Sequence, residues 1–168
     1  NQYQGRPEIK KDWFRERGTD GVIALSGAQF GEVGVSIGKK NMVTAEEAAK
    51  DWAGLFGNRF YLEVQRLGSG RSEQILQRTV TLGAKLNIPL LATHPVQFLH
   101  EGDFNAHEAR VCISEGQLLG DSRRPKLFRS NQYLMSQSEM VNLYQDLPEL
   151  LKNTVQVAKR CNFYVELG

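Results

Sequence analysis

The side chains best equipped for chemistry in this sequence follow short apolar runs. Ser26-Gly27-Ala28 comes after Val22-Ile23-Ala24-Leu25, Gln65-Arg66 after Phe60-Tyr61-Leu62-Glu63-Val64, and Thr93-His94-Pro95-Val96-Gln97 after Leu90-Leu91-Ala92. In parallel α/β folds the loops leaving the C-terminal ends of the strands converge on one face, where reactive groups gather. His94, with His107 and Glu108 further along, offers donors for a metal ion or an acid–base pair. Ser26 is a candidate nucleophile, and Gly27, Gly31 and Gly34 are a candidate phosphate-cradling turn. Arg123-Arg124-Pro125-Lys126 could touch a phosphate backbone or an acidic partner.

None of these groups has the spacing that its chemistry requires. Metal sites usually combine three or more ligands, and no two histidines here lie four apart as they do on one helix face. The glycines match neither G-x-G-x-x-G nor the P-loop. Leu25-Ser26-Gly27-Ala28 lacks the glycine two residues before the serine that a nucleophile elbow needs. His94 is therefore expected in a structural role, His107 and Glu108 in local hydrogen bonds, and the glycines in a tight turn. The basic cluster, with no aromatic platform interleaved, is expected in a solvated loop.

The elements that would position these residues alternate. Asn1 to Gly18 reads as a lead-in helix or loop around Trp13 and Phe14, and Val22 to Leu25 as a buried strand. Thr44-Ala45-Glu46-Glu47 predicts a capping box and a helix to about Phe56, and Phe60 to Val64 is aromatic and β-branched like a strand. From Ser72, residues Ile75, Thr79, Leu82 and Leu86 recur at helical spacing until Asn87 and Pro89 stop the helix before a third strand, Leu90 to Ala92. Helices follow. Asp103 should cap one running to Ile113 with Gly116 as terminator, Gly120 to Lys126 is a loop, and Ser136-Gln137-Ser138-Glu139 is a second capping box. Pro148 should start a last helix reaching roughly Cys161, with Leu151, Thr154, Val155 and Ala158 as its apolar stripe.

Composition bounds the function without choosing it. A chain of 168 residues, 40% hydrophobic, can bury one core of ordinary size. Twenty-one basic against nineteen acidic residues leave a net charge of +2, too small a field for non-specific nucleic-acid binding. Cys112 and Cys161 lie inside helical patterns and are expected as buried thiols of a cytoplasmic protein. No apolar run is long enough to cross a bilayer and no secretory leader is visible. The first residue, Asn1, fits a piece of a longer polypeptide or a trimmed tag.

Several stretches, taken in order, resemble one family. They are Ala24-Leu25-Ser26-Gly27, Phe60 to Arg66, Pro89 to Thr93, Asp103-Phe104-Asn105-Ala106-His107-Glu108, and Leu147 to Thr154 continuing into Ala158-Lys159-Arg160-Cys161-Asn162. Together they resemble the C-family replicative polymerases, in the N-terminal PHP (polymerase and histidinol phosphatase) domain of the bacterial DNA polymerase III alpha subunit. The resemblance implies a fragment, residues 1–168 being the C-terminal part of a PHP domain. Strand and helix would alternate over about 20–100 and helices dominate 103–162, ending near the junction with the polymerase palm. The implied fold is α/β, part of a distorted PHP-type (β/α) barrel of parallel strands with flanking helices and a helical C-terminal portion. An exposed strand edge and a tendency to self-associate are expected of such a piece.

The departures from the family pattern bear on function. Metal-binding relatives carry a cysteine in the turn after this first strand and Asn-Asp-x-His after the third. Here Ala28 stands at the cysteine position, Pro95 at the aspartate and Gln97 at the histidine. The resemblance thus implies a metal-free scaffold and docking module for the proofreading exonuclease subunit and other replicase subunits, without catalytic residues of its own. The intact parent would be a DNA-directed DNA polymerase, a nucleotidyltransferase with magnesium only at its palm, meeting DNA through its other parts and no membrane. Arg123, Arg124 and Lys126 are weak candidates for nucleic-acid contact. The alternatives are a metal-dependent phosphoesterase or nuclease of the PHP superfamily, with ligands recruited from elsewhere, and an unrelated small α/β enzyme.

Overall fold

The computed structural model describes residues 2–3, 6–7 and 9–166, so residues 1, 4, 5 and 8 of the expected lead-in lie outside the described residues. Strands β1 (Gln2–Tyr3) and β2 (Arg6–Pro7) pair antiparallel, and α1 (Lys11–Arg17) follows. The three expected strands form one parallel sheet in the order β3 (Ala24–Leu25), β4 (Phe60–Gln65), β5 (Leu90–Thr93), but the first is shorter than Val22 to Leu25 and is not buried, Val22 and Leu25 being exposed. Ala24 pairs with Phe60 and Leu25 with Tyr61, while the Leu62 amide donates to the Pro89 carbonyl at 2.9 Å. The chain divides into two compact units, Asn1–Glu63 with Gln77–Leu90, and Val64–Leu76 with Leu91–Gly168.

In the first unit, α3 (Met42–Phe56) buries Phe56 together with Ala45, Ala48 and Ala49, three small side chains that let the helix sit close to its neighbours. Its cap is Asn41, whose side chain accepts from the Thr44 amide at 3.1 Å. Thr44 is therefore the third helical residue and not the start of a capping box, and Glu46 is turned to ion pairs with Lys50 and Lys85 instead. A short helix absent from the sequence reading, α2 (Glu32–Gly38), packs on α3 through Val33 and Ile37. Helix α4 (Gly70–Leu86) ends where Asn87 adopts a positive φ of 54°.

In the second unit, α5 (Phe104–Glu115) stops at Gly116, which is left-handed as its position suggested. Asp103 does not cap α5. Its carboxylate accepts from the His100 amide at 2.9 Å and closes the 3-10 turn Glu101–Asp103. The Ser136–Glu139 capping box of α6 (Gln137–Leu143) is formed as read, and Pro148 opens α7 (Pro148–Arg160). The buried side of α7 is offset from the expected stripe. Leu150 is buried and Leu151, Thr154 and Val157 are half-buried, while Val155 and Ala158 face solvent. Cys112 is buried, but Cys161 lies just past the last helical residue and is exposed.

Candidate functional site

The turn after β3 is built by close approach. Ser26 donates its amide to the Tyr61 carbonyl at 3.0 Å, its hydroxyl oxygen accepts from the Glu63 amide at 2.9 Å, and Glu63 Oε2 accepts from the Gly27 amide at 3.1 Å. The serine oxygen is thus an acceptor that ties β3 to β4. A Cβ at Gly31 would stand 1.7 Å from the Ser26 carbonyl oxygen, and one at Gly34 would stand 1.8 Å from that of Ala28. These two glycines exist to let α2 lie on the turn, so the tight-turn reading holds with a steric reason added. Ala28 is buried with φ 44°, in the left-handed region where a side chain is strained.

Beyond β4, Arg66 is the hub of the second unit. Its guanidinium donates to Glu73 at 3.1 Å through both Nε and Nη2, to Asp146 at 2.7 and 2.9 Å, and to the Leu143 carbonyl at 2.6 Å. It also lies 5.2 Å from the ring centre of the buried Tyr144. Asp146 and Glu73 hold the guanidinium pKa above its ordinary value, and Arg66 in turn lowers that of Asp146. Burial pushes the Tyr144 phenol up to about 12. The position of Arg66 after a strand flagged it in the sequence, but its acidic partners carry no sequence signal.

After β5 the chain is covered by a later segment. His94 Nε2 lies 2.7 Å from the Asn131 carbonyl, the Gln132 side-chain amide donates to the Pro95 carbonyl at 3.1 Å, and the Gln97 amide donates to the Gln132 carbonyl at 2.8 Å. His94 is consequently engaged by backbone. Gln97 presents its side chain to solvent. No group of three or more His, Cys, Asp or Glu that could hold a metal ion occurs among the described residues. At the three positions that the resemblance assigns to ligands, Ala28 and Pro95 carry no side-chain donor and Gln97 carries a neutral amide, a weak ligand.

His107 bonds locally, to Arg110 three residues on, whereas Glu108 departs from local bonding. The His107 ring is buried between Phe98 and Phe128, with Nδ1 3.3 Å from Arg110, and burial lowers its pKa. Glu108 forms a buried ion pair with Arg124, sixteen residues later. Arg124 is thus packed inside the fold, in contrast to the solvated loop expected for it. Arg123 and Lys126 are exposed, Arg123 pairing with Asp121.

Comparison with known proteins gives this geometry its relatives. Residues 1–67 match the PHP domain family. The chain is 46% identical over 99% of its length to the DNA polymerase III subunit alpha of Pseudomonas aeruginosa, covering 14% of that protein. It is 44% identical over 96% to that of Neisseria meningitidis and 40% identical over 96% to that of Escherichia coli, again covering 14% of each. The chain is homologous, over nearly its whole length, to one segment of the DNA polymerase III alpha subunit. It spans about one seventh of the length of these relatives. No helix among the described residues is long and apolar enough to cross a membrane.

Proposed function

We propose that this chain is a segment of a bacterial replicative DNA polymerase, running from the PHP domain toward the palm, and that it serves as a scaffold and docking module. The observation that carries the reading is the homology to alpha subunits over nearly every residue. The side chains at Ala28, Pro95 and Gln97 support the absence of catalysis in this segment, because a hydrolytic metal site needs several donors placed together. Arg66 supports the scaffold role. It fixes the helical C-terminal portion to the end of a strand through two carboxylates and a carbonyl.

In this reading the intact protein is a cytoplasmic DNA-directed DNA polymerase, a nucleotidyltransferase that uses magnesium at its palm and meets DNA through its other parts. The segment itself holds no metal and docks the proofreading exonuclease subunit among the replicase components. The test is sedimentation of the chain mixed with the exonuclease subunit of the same source. A saturable complex is expected, and independent sedimentation at micromolar concentrations would contradict the docking role. The full gene tests membership, since it should carry a His-x-His motif upstream and palm aspartates downstream.

A further inference from the structure

The loop after α5 is pinned by buried charge and displays apolar side chains. Past Gly116, the Gln117 amide donates to the Cys112 carbonyl at 2.8 Å and the Asp121 amide to the Leu118 carbonyl at 3.1 Å. Arg124 then turns back to Glu108, the two side chains only 9% and 5% exposed, and its Nε donates to the Leu119 carbonyl at 3.4 Å. Burying two charges adds little net stability, and the best-attested return is one fixed conformation. The conformation fixed here leaves Ile113 83%, Leu118 78%, Leu119 52% and Leu127 63% exposed. Four large aliphatic side chains are thus open to a partner within one pinned stretch of sequence.

The charge around them has one sign in excess. Arg123 and Asp121 pair with each other, which leaves Arg110, Lys126 and Arg129 exposed against Glu115. A nucleic acid would leave the aliphatic groups uncovered, and residues 113–127 contain no aromatic side chain on which a base could stack. We propose that residues 113–127 form a docking surface for a partner protein segment that carries aliphatic side chains between carboxylates. The proposal rests on the docking role above and names its surface. Leucine-sized anchors supply the affinity, the cations supply orientation and encounter rate, and the pinned loop reduces the ordering that binding would otherwise require.

The test is fluorescence anisotropy of the whole chain with a short labelled peptide of leucine and glutamate, a leucine-and-lysine peptide being the control. Saturable binding of the acidic peptide alone is expected, weakened about tenfold or more by Leu118→Ser with Leu119→Ser, and likewise by Arg123→Glu with Lys126→Glu. Glu108→Gln should weaken it too, because the loop loosens while every surface side chain remains; circular dichroism verifies that each variant is folded. No saturable binding, equal binding by the serine variant, or displacement of the peptide by single-stranded DNA would overturn the proposal. So would a dimer of the chain that the serine substitutions abolish, which would assign the surface to a second copy. An exonuclease-subunit complex that forms unchanged with the serine variant overturns this surface and leaves the docking role standing, whereas its failure to form with the unsubstituted chain removes the docking role itself.

Discussion

Replacing Arg66 by alanine removes five hydrogen bonds from one guanidinium, and the consequence follows from what each partner can do afterwards. Glu73 and Asp146 are 42% and 51% exposed, so each can rehydrate and each pair is worth only about 0.5–1 kcal/mol. The Leu143 carbonyl loses a charged donor, about 1.5 kcal/mol, and the Tyr144 ring loses a cation over its face, about 0.5 kcal/mol. The total is about 3–4 kcal/mol. For a chain of this size that lowers the melting temperature by about 6–16 °C. Arg66→Lys should lose roughly half as much, since lysine keeps the charge but not the forked geometry. The sign with pH follows from Asp146, whose pKa Arg66 lowers. A lowered carboxylate pKa contributes stability that is present above its unfolded value, about 4, and is lost as pH falls through the folded value. The gap between Arg66→Ala and the unsubstituted chain should therefore narrow below about pH 4. Thermal unfolding followed by circular dichroism measures this, and a shift under about 2 °C near neutral pH would refute the hub assignment.

Other expectations follow from single features. Gly31→Ala and Gly34→Ala place a methyl group inside the van der Waals radius of a carbonyl oxygen, so each should cost about 3 kcal/mol in denaturant titration, while Gly54→Ala, with open space around it, should be tolerated. Glu46, bonded to Lys50 and Lys85, and Glu139, bonded to Ser136 and Tyr133, are each held down to about 2. Both contribute stability that is full above the ordinary glutamate range and lost as pH falls toward 2, so Lys85→Met and Ser136→Ala should flatten acid unfolding curves between those limits. Arg123→Ala with Lys126→Ala should change the affinity of the chain for DNA by less than about twofold in a salt-series binding assay, because two exposed cations release few counterions.

The sequence carried the strands and the later helices because their signals are local. Ser136 meets Glu139 three residues on, Pro148 fixes its own φ, and Phe60 to Val64 is rich in aromatic and β-branched side chains. Thr44 misled because Asn41, a stronger cap, stands three residues earlier and takes the same amide. Helix α2 was invisible for a different reason. Gly31 to Gly38 is rich in glycine and β-branched residues and has poor helical propensity, and its helix is held by packing that only the missing Cβ atoms of Gly31 and Gly34 allow.

At the candidate site, the sequence located the turns but not their partners. His94, Pro95 and Gln97 follow a strand as expected, yet Asn131 and Gln132, which engage that turn, come more than thirty residues later. Glu108 and Arg124 each read as surface residues in isolation, one in a helix and the other in a polar loop. Their burial together depends on the path of the loop between them, which no local pattern encodes.

The claim that this chain supplies architecture and docking, and no hydrolysis, is tested most directly by its metal. Elemental analysis of chain purified without chelator, joined to phosphatase and exonuclease assays in added zinc and manganese, should find no stoichiometric metal and no turnover. Stoichiometric metal together with activity that is lost in His94→Ala or His107→Ala would contradict the account.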